Sequence, residues 1–531
     1  MLHPASASEG RRGDGRRRGD AGRIPSGSAT LSFFIILKLL GLLLMTVGAS
    51  MLPSLAWSVY YADGAQIALL GAVVVTTGMG AAAFFVGRSR REDLFRKEAT
   101  AVVGIGWILC AFAGALPFYF HGVFAGGPFS TFPNCYFESM SGLTTTGASV
   151  LQAEDFAALP RGLHFWRCFT HWLGGMGIIV LFVAILPFLG VGGRALLKSE
   201  VPGPVTETLT PRVKDTAMLL WKIYCGFTIA ETLVLMACGM SFFDALCHTF
   251  ATLATGGFST NPGSIAGFDN LGVEIAIMFF MLVAGTNFAL YYSILRGDRR
   301  ALLRDPEWRA YVSVIAVSAL FVAFVLVRAG VYASPLESLR YGTFQVLSLM
   351  TTTGFATANF DAWPVEVKFL LLCLMFVGGS AGSTGGGIKV MRWMILAKTA
   401  RGELERRYSP RTVRKLRLGK TVLSNDLSAS VLVFSFTWAL VFVLGVFAVA
   451  VLEALPAGTS EASGSRLVTV ITAVIATLNN IGPGLGQVGA EGNYAFFKPI
   501  TKILLTCFMV LGRLELYTIL VLFAPRFWRG R

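Results

Sequence analysis

Charge is what this sequence has least of. Only 14% of its 531 residues are Asp, Glu, Lys or Arg, while 54% are hydrophobic. Soluble domains carry about 25% charged residues, so this shortage excludes a water-soluble globular protein of such length. Histidine occurs five times, as His3, His121, His164, His171 and His248, in no metal-ligand spacing; these read as polar residues at loop edges. Eight cysteines form no C-x-x-C pair, which argues against a zinc site or a disulfide framework. No nucleophile–base constellation, dinucleotide fingerprint or soluble segment large enough for catalysis is present, so the chain is not expected to be an enzyme.

What is abundant is uninterrupted apolar sequence. Crossing a bilayer core takes roughly 20 mainly apolar residues in a helix. Leu31 to Leu52, Ala65 to Val86, Ala99 to Phe120 and Leu427 to Leu452 qualify. The formal net charge of +15 is distributed in short segments between such runs. That is the positive-inside bias of a membrane protein, not a base-reading surface, and no nucleic-acid partner is expected. Arg11, Arg12, Arg16, Arg17, Arg18 and Arg23 lie in a Gly/Arg-rich tail, residues 1–30, expected to be disordered. The apolar run behind it is too long for a signal peptide and reads as a retained first helix.

Basic clusters alternate with segments nearly free of Lys and Arg. The clusters are the tail, Arg88 to Lys97, Arg194 to Lys222, Arg296 to Arg309, Lys398 to Lys420 and Arg526 to Arg531. The opposing segments are Pro53 to Gly64, His121 to His164, Met240 to Gly272, Tyr332 to Glu366 and Glu453 to Tyr494. Placing the clusters in the cytoplasm puts both termini inside and requires an even number of spans; ten fit. Acids on the opposing side, including Glu138, Glu154, Asp155, Asp244, Asp269, Glu337 and Asp361, either form a cation-attracting vestibule or belong to ordinary solvated loops.

Four of the opposing segments share a pattern. Each holds a moderately apolar stretch too short to span, then a Thr/Gly- or Asn/Gly-rich turn: Ser141 to Ser149, Ala251 to Ser259, Ser348 to Ala356, Ala476 to Gly484. Aligned, they place Gly147, Gly257, Gly354 and Gly482 at one position. Because all four turns lie on one side, the repeats are parallel, unlike the inverted repeats of many secondary transporters. The fold expected is an all-α membrane protein of four parallel helix–pore loop–helix repeats with pseudo-fourfold symmetry round a central pore, preceded by two transmembrane helices. Irregular backbone at membrane depth is tolerated where protein buries it or water wets it, and turns converging on an axis meet that condition. Boundaries follow: two leading helices in 31–98, repeats in 99–195, 215–300, 310–400 and 425–531, and a basic linker in 401–424.

A dehydrated cation needs oxygen ligands on all sides, and backbone carbonyls provide them without a charge that traps the ion. Glycine lets the backbone take conformations that aim successive carbonyls at one axis. Hydroxyls of Thr145, Thr146, Thr255, Thr352 and Thr353 can add ligands or brace the strands. The same turns resemble the four filter loops of the Trk/Ktr/HKT superfamily of potassium transporters, from about residue 30 onward, and the two leading helices are similar to the Trk branch. The resemblance implies a potassium filter built from Thr145, Thr146, Gly147, Thr255, Gly256, Gly257, Thr352, Thr353, Gly354, Asn480, Ile481 and Gly482. In the HKT branch a serine in place of the first-loop glycine accompanies sodium transport, so Gly147 favours potassium. No loop carries TVGYG, which implies more modest discrimination than in tetrameric potassium channels.

After the third loop, Gly378-Gly379-Ser380-Ala381-Gly382-Ser383-Thr384-Gly385-Gly386-Gly387 cannot sustain a helix, at roughly 1 kcal/mol lost per glycine against alanine. Helix is expected to resume at Ile388. Ile388 separates Gly387 from Lys389, so the phosphate-loop pattern is not matched and no nucleotide is expected on this chain. The segment is similar to the intramembrane gating loop of Trk proteins, with Gly378, Gly379, Gly382, Gly385, Gly386, Gly387 and Lys389 as gate residues. Arg513, deep in the last apolar run, is costly there unless it faces a partner or a wet cavity. The resemblance sets it against the gating loop, as an electrostatic barrier.

The family likeness further implies potassium as substrate, a multi-pass protein of a bacterial cytoplasmic (inner) membrane, a homodimer, and a separate cytosolic nucleotide-binding regulatory subunit, TrkA-like. The nine basic residues of Lys398 to Lys420, against Glu403 and Glu405 alone, either dock that subunit or set topology. The competing reading is a secondary transporter coupling potassium or sodium to a proton or sodium gradient. Parallel repeats and the lack of an intramembrane acid pair weigh against it.

Overall fold

The computed structural model describes residues 32–88, 95–177, 213–409, 417–419, 421–422, 425–453 and 463–529. The basic tail 1–30, residues 178–195 of the first expected repeat, and part of the basic linker, including Arg414 and Lys415, lie outside them. Apart from a two-residue antiparallel pairing of Arg417–Leu418 with Thr421–Val422 and a single parallel bridge between Val377 and Ile388, the described chain is helical.

Two leading helical stretches, Phe33–Tyr61 and Gln66–Val86, precede a sequence of elements that recurs four times: a long helix, a short helix, an irregular turn and a further helix. The helices are Arg96–Ala125, Phe132–Leu143 and Arg161–Gly175; Val213–Ala237, Phe242–Leu253 and Leu271–Ala284; Pro306–Arg328, Pro335–Met350 and Val365–Leu374; Asn425–Leu452, Ser463–Leu478 and Pro499–Arg513. The starts are written in the sequence. Asp305 accepts the Trp308 amide at 2.7 Å with Pro306 in the first turn, and Ser334 accepts the Leu336 amide at 3.2 Å ahead of Pro335. Both are side-chain caps on orphan amides.

Six described helices are long and apolar enough to cross a membrane, and two bent pairs raise the number to eight. Among the described residues the helices from Arg161 and Val365 are not among these, so at most eight of the ten expected spans are seen. Bends are more widespread than the sequence suggested. Leu271–Ala284 turns by 92° into Phe288–Leu295, and Pro499–Arg513 turns by 114° into Tyr517–Phe523. The third interruption is longer than its glycine run: helix stops at Leu374 and resumes at Val390, not at Ile388.

Burial sorts the helices into layers. The apolar window of Lys97–Ala125 is 78% buried, against 22% in both Gln66–Val86 and Asp426–Leu452. Large side chains such as Val74, Phe436 and Phe447 stay exposed on the latter two, the pattern of a lipid-facing surface. The two leading helices approach through glycine. A Cβ on Gly41 would lie 2.6 Å from the Gly80 carbonyl oxygen, and one on Gly80 would lie 2.7 Å from that of Gly41. Small residues permit such approach where lipid supplies no hydrophobic drive between helices.

Gly78, on the same helix, would meet nothing within 4 Å. Gly41→Ala should therefore lower the melting temperature of the detergent-solubilised protein, with overpacking costing about 1–3 kcal/mol. Gly78→Ala should leave it unchanged or slightly higher. Equal melting temperatures in the two variants would refute the close-packed seam.

Candidate functional site

Each short helix ends in the same hydrogen-bonded turn. The amides of Thr146, Gly256, Thr353 and Ile481 donate to the carbonyls of Ser141, Ala251, Ser348 and Ala476 at 2.7–2.9 Å. Those of Thr145, Thr255, Thr352 and Asn480 donate to Gly142, Thr252, Leu349 and Thr477 at 2.9–3.3 Å. This pair of bonds is the Schellman closure, which satisfies the last carbonyls of a helix and needs a left-handed residue. Here that residue is not glycine: Thr145, Thr255 and Asn480 have φ of 54° and Thr352 has 62°. Non-glycine residues held there cost about 1–3 kcal/mol each. Two positions on, Gly147, Gly257, Gly354 and Gly482 also have positive φ, 79°, 81°, 80° and 94°.

The four glycines face one another's turns in a closed cycle. A Cβ on Gly147 would strike the Gly256 carbonyl oxygen, one on Gly257 that of Thr353, one on Gly354 that of Ile481, and one on Gly482 that of Thr146, all under 3.0 Å. The sequence position shared by the four glycines is thus a place where each turn touches the next and no side chain fits.

Behind the turns lies a second register that the sequence reading missed. Nine residues before the glycine stand Glu138, His248 and Gln345, and each reaches forward to its own loop. Glu138 accepts the Ser149 hydroxyl and the Val150 amide, both at 2.9 Å; the His248 Nε2 lies 2.9 Å from the Ser259 hydroxyl; Gln345 donates to Thr357 at 3.3 Å. In the fourth unit Thr472, one residue earlier, bonds the Leu485 amide at 3.0 Å. Arg167 ties two units together: Nε pairs with Glu138 at 2.5 Å, Nη1 donates to the Ser259 carbonyl at 2.9 Å, and the guanidinium lies 3.6 Å from the Phe258 ring centre.

Several expectations are corrected here. Glu138 is no vestibule charge but a buried brace. His164, His171 and His248 are not loop-edge residues; all three are buried on helices, and His171 stacks on Phe258 at 4.1 Å. Asp361 accepts the Gly486 amide at 2.7 Å, linking the third and fourth units, and burial raises its carboxyl above the usual range. Tyr494 donates its hydroxyl to the Gly482 carbonyl at 2.7 Å and its amide to the Ser149 carbonyl at 2.8 Å.

The glycine-rich interruption lies against the helix-proximal side of the turns. The Gly386 amide donates to the Thr352 hydroxyl at 2.7 Å, and a Cβ on Gly386 would strike the Asn479 carbonyl oxygen. Gly382 and Gly387 need positive φ, 74° and 67°. Buried Lys389 donates to the Gly385 carbonyl. The segment is anchored to the bend of the second unit, with the Ser380 amide on the Gly285 carbonyl at 2.9 Å and the Phe288 amide on the Gly382 carbonyl at 3.1 Å. Glu307 ties the middle of the segment to the helix that follows: one carboxylate oxygen accepts the Ala381 amide at 2.8 Å and the Met391 amide at 3.0 Å. The sequence reading did not single it out.

Arg513 completes the arrangement. Its Nη1 donates to the Thr145 hydroxyl at 3.1 Å and the Thr384 carbonyl at 2.8 Å; its Nη2 donates to the Gly174 carbonyl and, at 2.8 Å, to that of Gly175. One guanidinium therefore joins the first turn, the interruption and the end of the helix Arg161–Gly175. Glu515, two residues further along and therefore on another face of a helix, turns elsewhere. It pairs with Arg392, whose guanidinium lies 3.9 Å from the Phe434 ring centre.

Comparison with known proteins follows this geometry. A family model described as "TrkH: Cation transport protein" matches residues 70–529. The chain is 39% identical over 501 residues to the Trk system potassium uptake protein TrkH of Escherichia coli (strain K12), covering 94% of this chain and 100% of that protein. The Trk system potassium uptake protein TrkG of the same organism is 32% identical over 498 residues, with 93% and 99% covered. The crystal structure of the potassium transporter TrkH from Vibrio parahaemolyticus superposes with a TM-score of 0.82 at 35% identity, covering 94% of this chain and all of that one. With that model matching residues 70–529 and relatives matched along nearly the whole length, the chain belongs to the TrkH family of cation transport proteins.

Proposed function

We propose that the chain takes up potassium across a bacterial cytoplasmic membrane through a pore encircled by its four turns, with both termini in the cytoplasm. The observation that carries this reading is the closed cycle of glycine-to-carbonyl approaches. Four short helices deliver their C-terminal, partially negative ends to one place, with Thr145 to Gly147, Thr255 to Gly257, Thr352 to Gly354 and Asn480 to Gly482 as the ion-binding backbone. The Gly378 to Gly387 segment, Lys389 and Arg513 form the gate directly beyond them. Electrical recording in reconstituted bilayers tests the pore: currents should reverse at the potassium equilibrium potential whatever the pH gradient. One feature favours the second reading, coupled transport: Glu231 is fully buried and, among the described residues, its carboxylate has no ion pair. Reversal that follows the pH gradient, and stops doing so in Glu231→Gln, would establish that reading instead.

Gly147→Ser should lower the potassium-to-sodium permeability ratio, by roughly tenfold for each 1.4 kcal/mol of discrimination lost. Its side chain would have to occupy a φ of 79° and displace the Gly256 carbonyl. An unchanged ratio would remove the first turn from the filter.

Deleting Gly382 to Gly386 should raise basal potassium flux, and Glu307→Ala should do so more weakly by freeing the Ala381 and Met391 amides. Flux equal to wild type in well-inserted protein would show that the segment does not occlude the path.

As in the family resemblance, we propose a homodimer with a separate cytosolic nucleotide-binding subunit docking on the basic stretch after the interruption. There Arg406 pairs with Glu403 at 3.3 Å and Arg401 with Glu405 at 3.2 Å. Neutralising Arg406, Arg407, Arg414 and Lys415 should abolish capture of that subunit while insertion persists. Unaltered capture would leave the stretch a purely topological role.

A further inference from the structure

On the side opposite the basic clusters, a cavity of about 970 Å³ opens between the end of the first span and the starts of two helices, Arg161–Gly175 and Phe242–Leu253. Its rings include Trp57, Tyr60, Tyr61, Phe242 and Phe243. Trp57 stacks on Tyr61 with centroids 5.6 Å apart and meets Phe243 edge-on at 5.3 Å. Tyr60 and Phe242 stand at the rim, 77% and 51% exposed.

Arg161 is the sole Lys or Arg between His121 and His164. Its guanidinium lies 4.3 Å from the Tyr61 ring centre and 5.8 Å from that of Phe243. Among the described residues it has no ion pair. Asp244 lines the same cavity but does not answer it, because both its oxygens accept hydroxyls, from Thr260 at 2.7 Å and Ser241 at 2.6 Å. Buried His164 spends Nε2 on the Phe156 carbonyl at 3.0 Å and leaves Nδ1 without a partner.

We propose that this cavity binds the phosphodiester headgroup of a phospholipid, with Arg161 on the phosphate. The orientation rests on the membrane placement proposed above. A planar guanidinium pre-set on ring faces presents its fork of donors to a phosphate. Trp and Tyr concentrate at the headgroup level, where one end of the ring is apolar and the other wet. The volume lies within the range of small-molecule sites, and the fixed positive charge disfavours a cation. Arg161 shares its helix with Arg167, and Asp244 holds Thr260 just after the second turn, so an occupied site braces two supports of the filter.

The test titrates short-chain phosphatidylglycerol, the uncharged diacylglycerol of the same chains, and inorganic phosphate against the detergent-solubilised full-length protein, reading melting temperature. Phosphatidylglycerol should raise it in the wild type and in Arg161→Lys. Arg161→Gln should weaken the apparent affinity by about tenfold, the scale of losing a charged hydrogen bond. Diacylglycerol should have no effect. An Arg161-dependent shift with inorganic phosphate as well would retain the phosphate site and admit a soluble occupant. Equal affinity for phosphatidylglycerol in wild type and Arg161→Gln, or an equal shift with diacylglycerol, overturns the proposal. The readout is binding, so failure here leaves the potassium reading standing, and failure of that reading leaves this site to be judged on its own.

Discussion

Inside a bilayer the last carbonyls of a helix have no water to satisfy them, and an unpaired one costs several kcal/mol. Four short helices whose ends are buried within the protein meet that difficulty four times over. Each solves it by folding its chain back on itself, so that two amides cap two carbonyls. The closure forces a left-handed residue, and the turn's next task, approaching its neighbour without a side chain, forces a glycine two positions later. The Thr-Thr-Thr-Gly strings thus record two successive backbone demands. Polar side chains then act chiefly as struts: Thr144 with Thr146 and Thr351 with Thr353, each pair at 2.8 Å, and Asn480 on Thr146 at 3.0 Å.

The charged groups near the turns follow from the same scarcity of water. An isolated charge there is expensive, and those described are paired or heavily bonded. Arg167 has Glu138 and Arg392 has Glu515, while Arg513 is surrounded by three carbonyls and a hydroxyl. Arg513 thereby reaches the first turn and the interruption at once. Glu138–Arg167, by contrast, is neutral as a pair and serves to hold two loops in place.

The membrane class, the four turns and the interrupted segment were legible because each rests on local rules: apolar length, glycine conformational freedom and the cost of glycine in helix. The register of Glu138, His248 and Gln345 was hidden because three different chemistries do one job, and only alignment on the glycines reveals it. The bends in the second and fourth units gave little warning. One rests on Gly285 with Asn287 capping the next helix, the other on Glu515 and Leu516 at positive φ, residues that elsewhere sit comfortably in helices. Glu307 and Arg392 acquire their roles from segments about 80 and 120 residues away, a separation that periodicity does not cross.

One oxygen atom of Glu307 receives amides from the middle of the glycine-rich interruption, at Ala381, and from the first turn of the helix that follows it, at Met391. Two fastenings on a single pin do not loosen in sequence: whatever withdraws that carboxylate releases both together. The pin belongs to the first turn of the helix Pro306–Arg328, at the end carrying the basic cluster. A displacement of that helix end would therefore disturb Ala381 and Met391 at the same time.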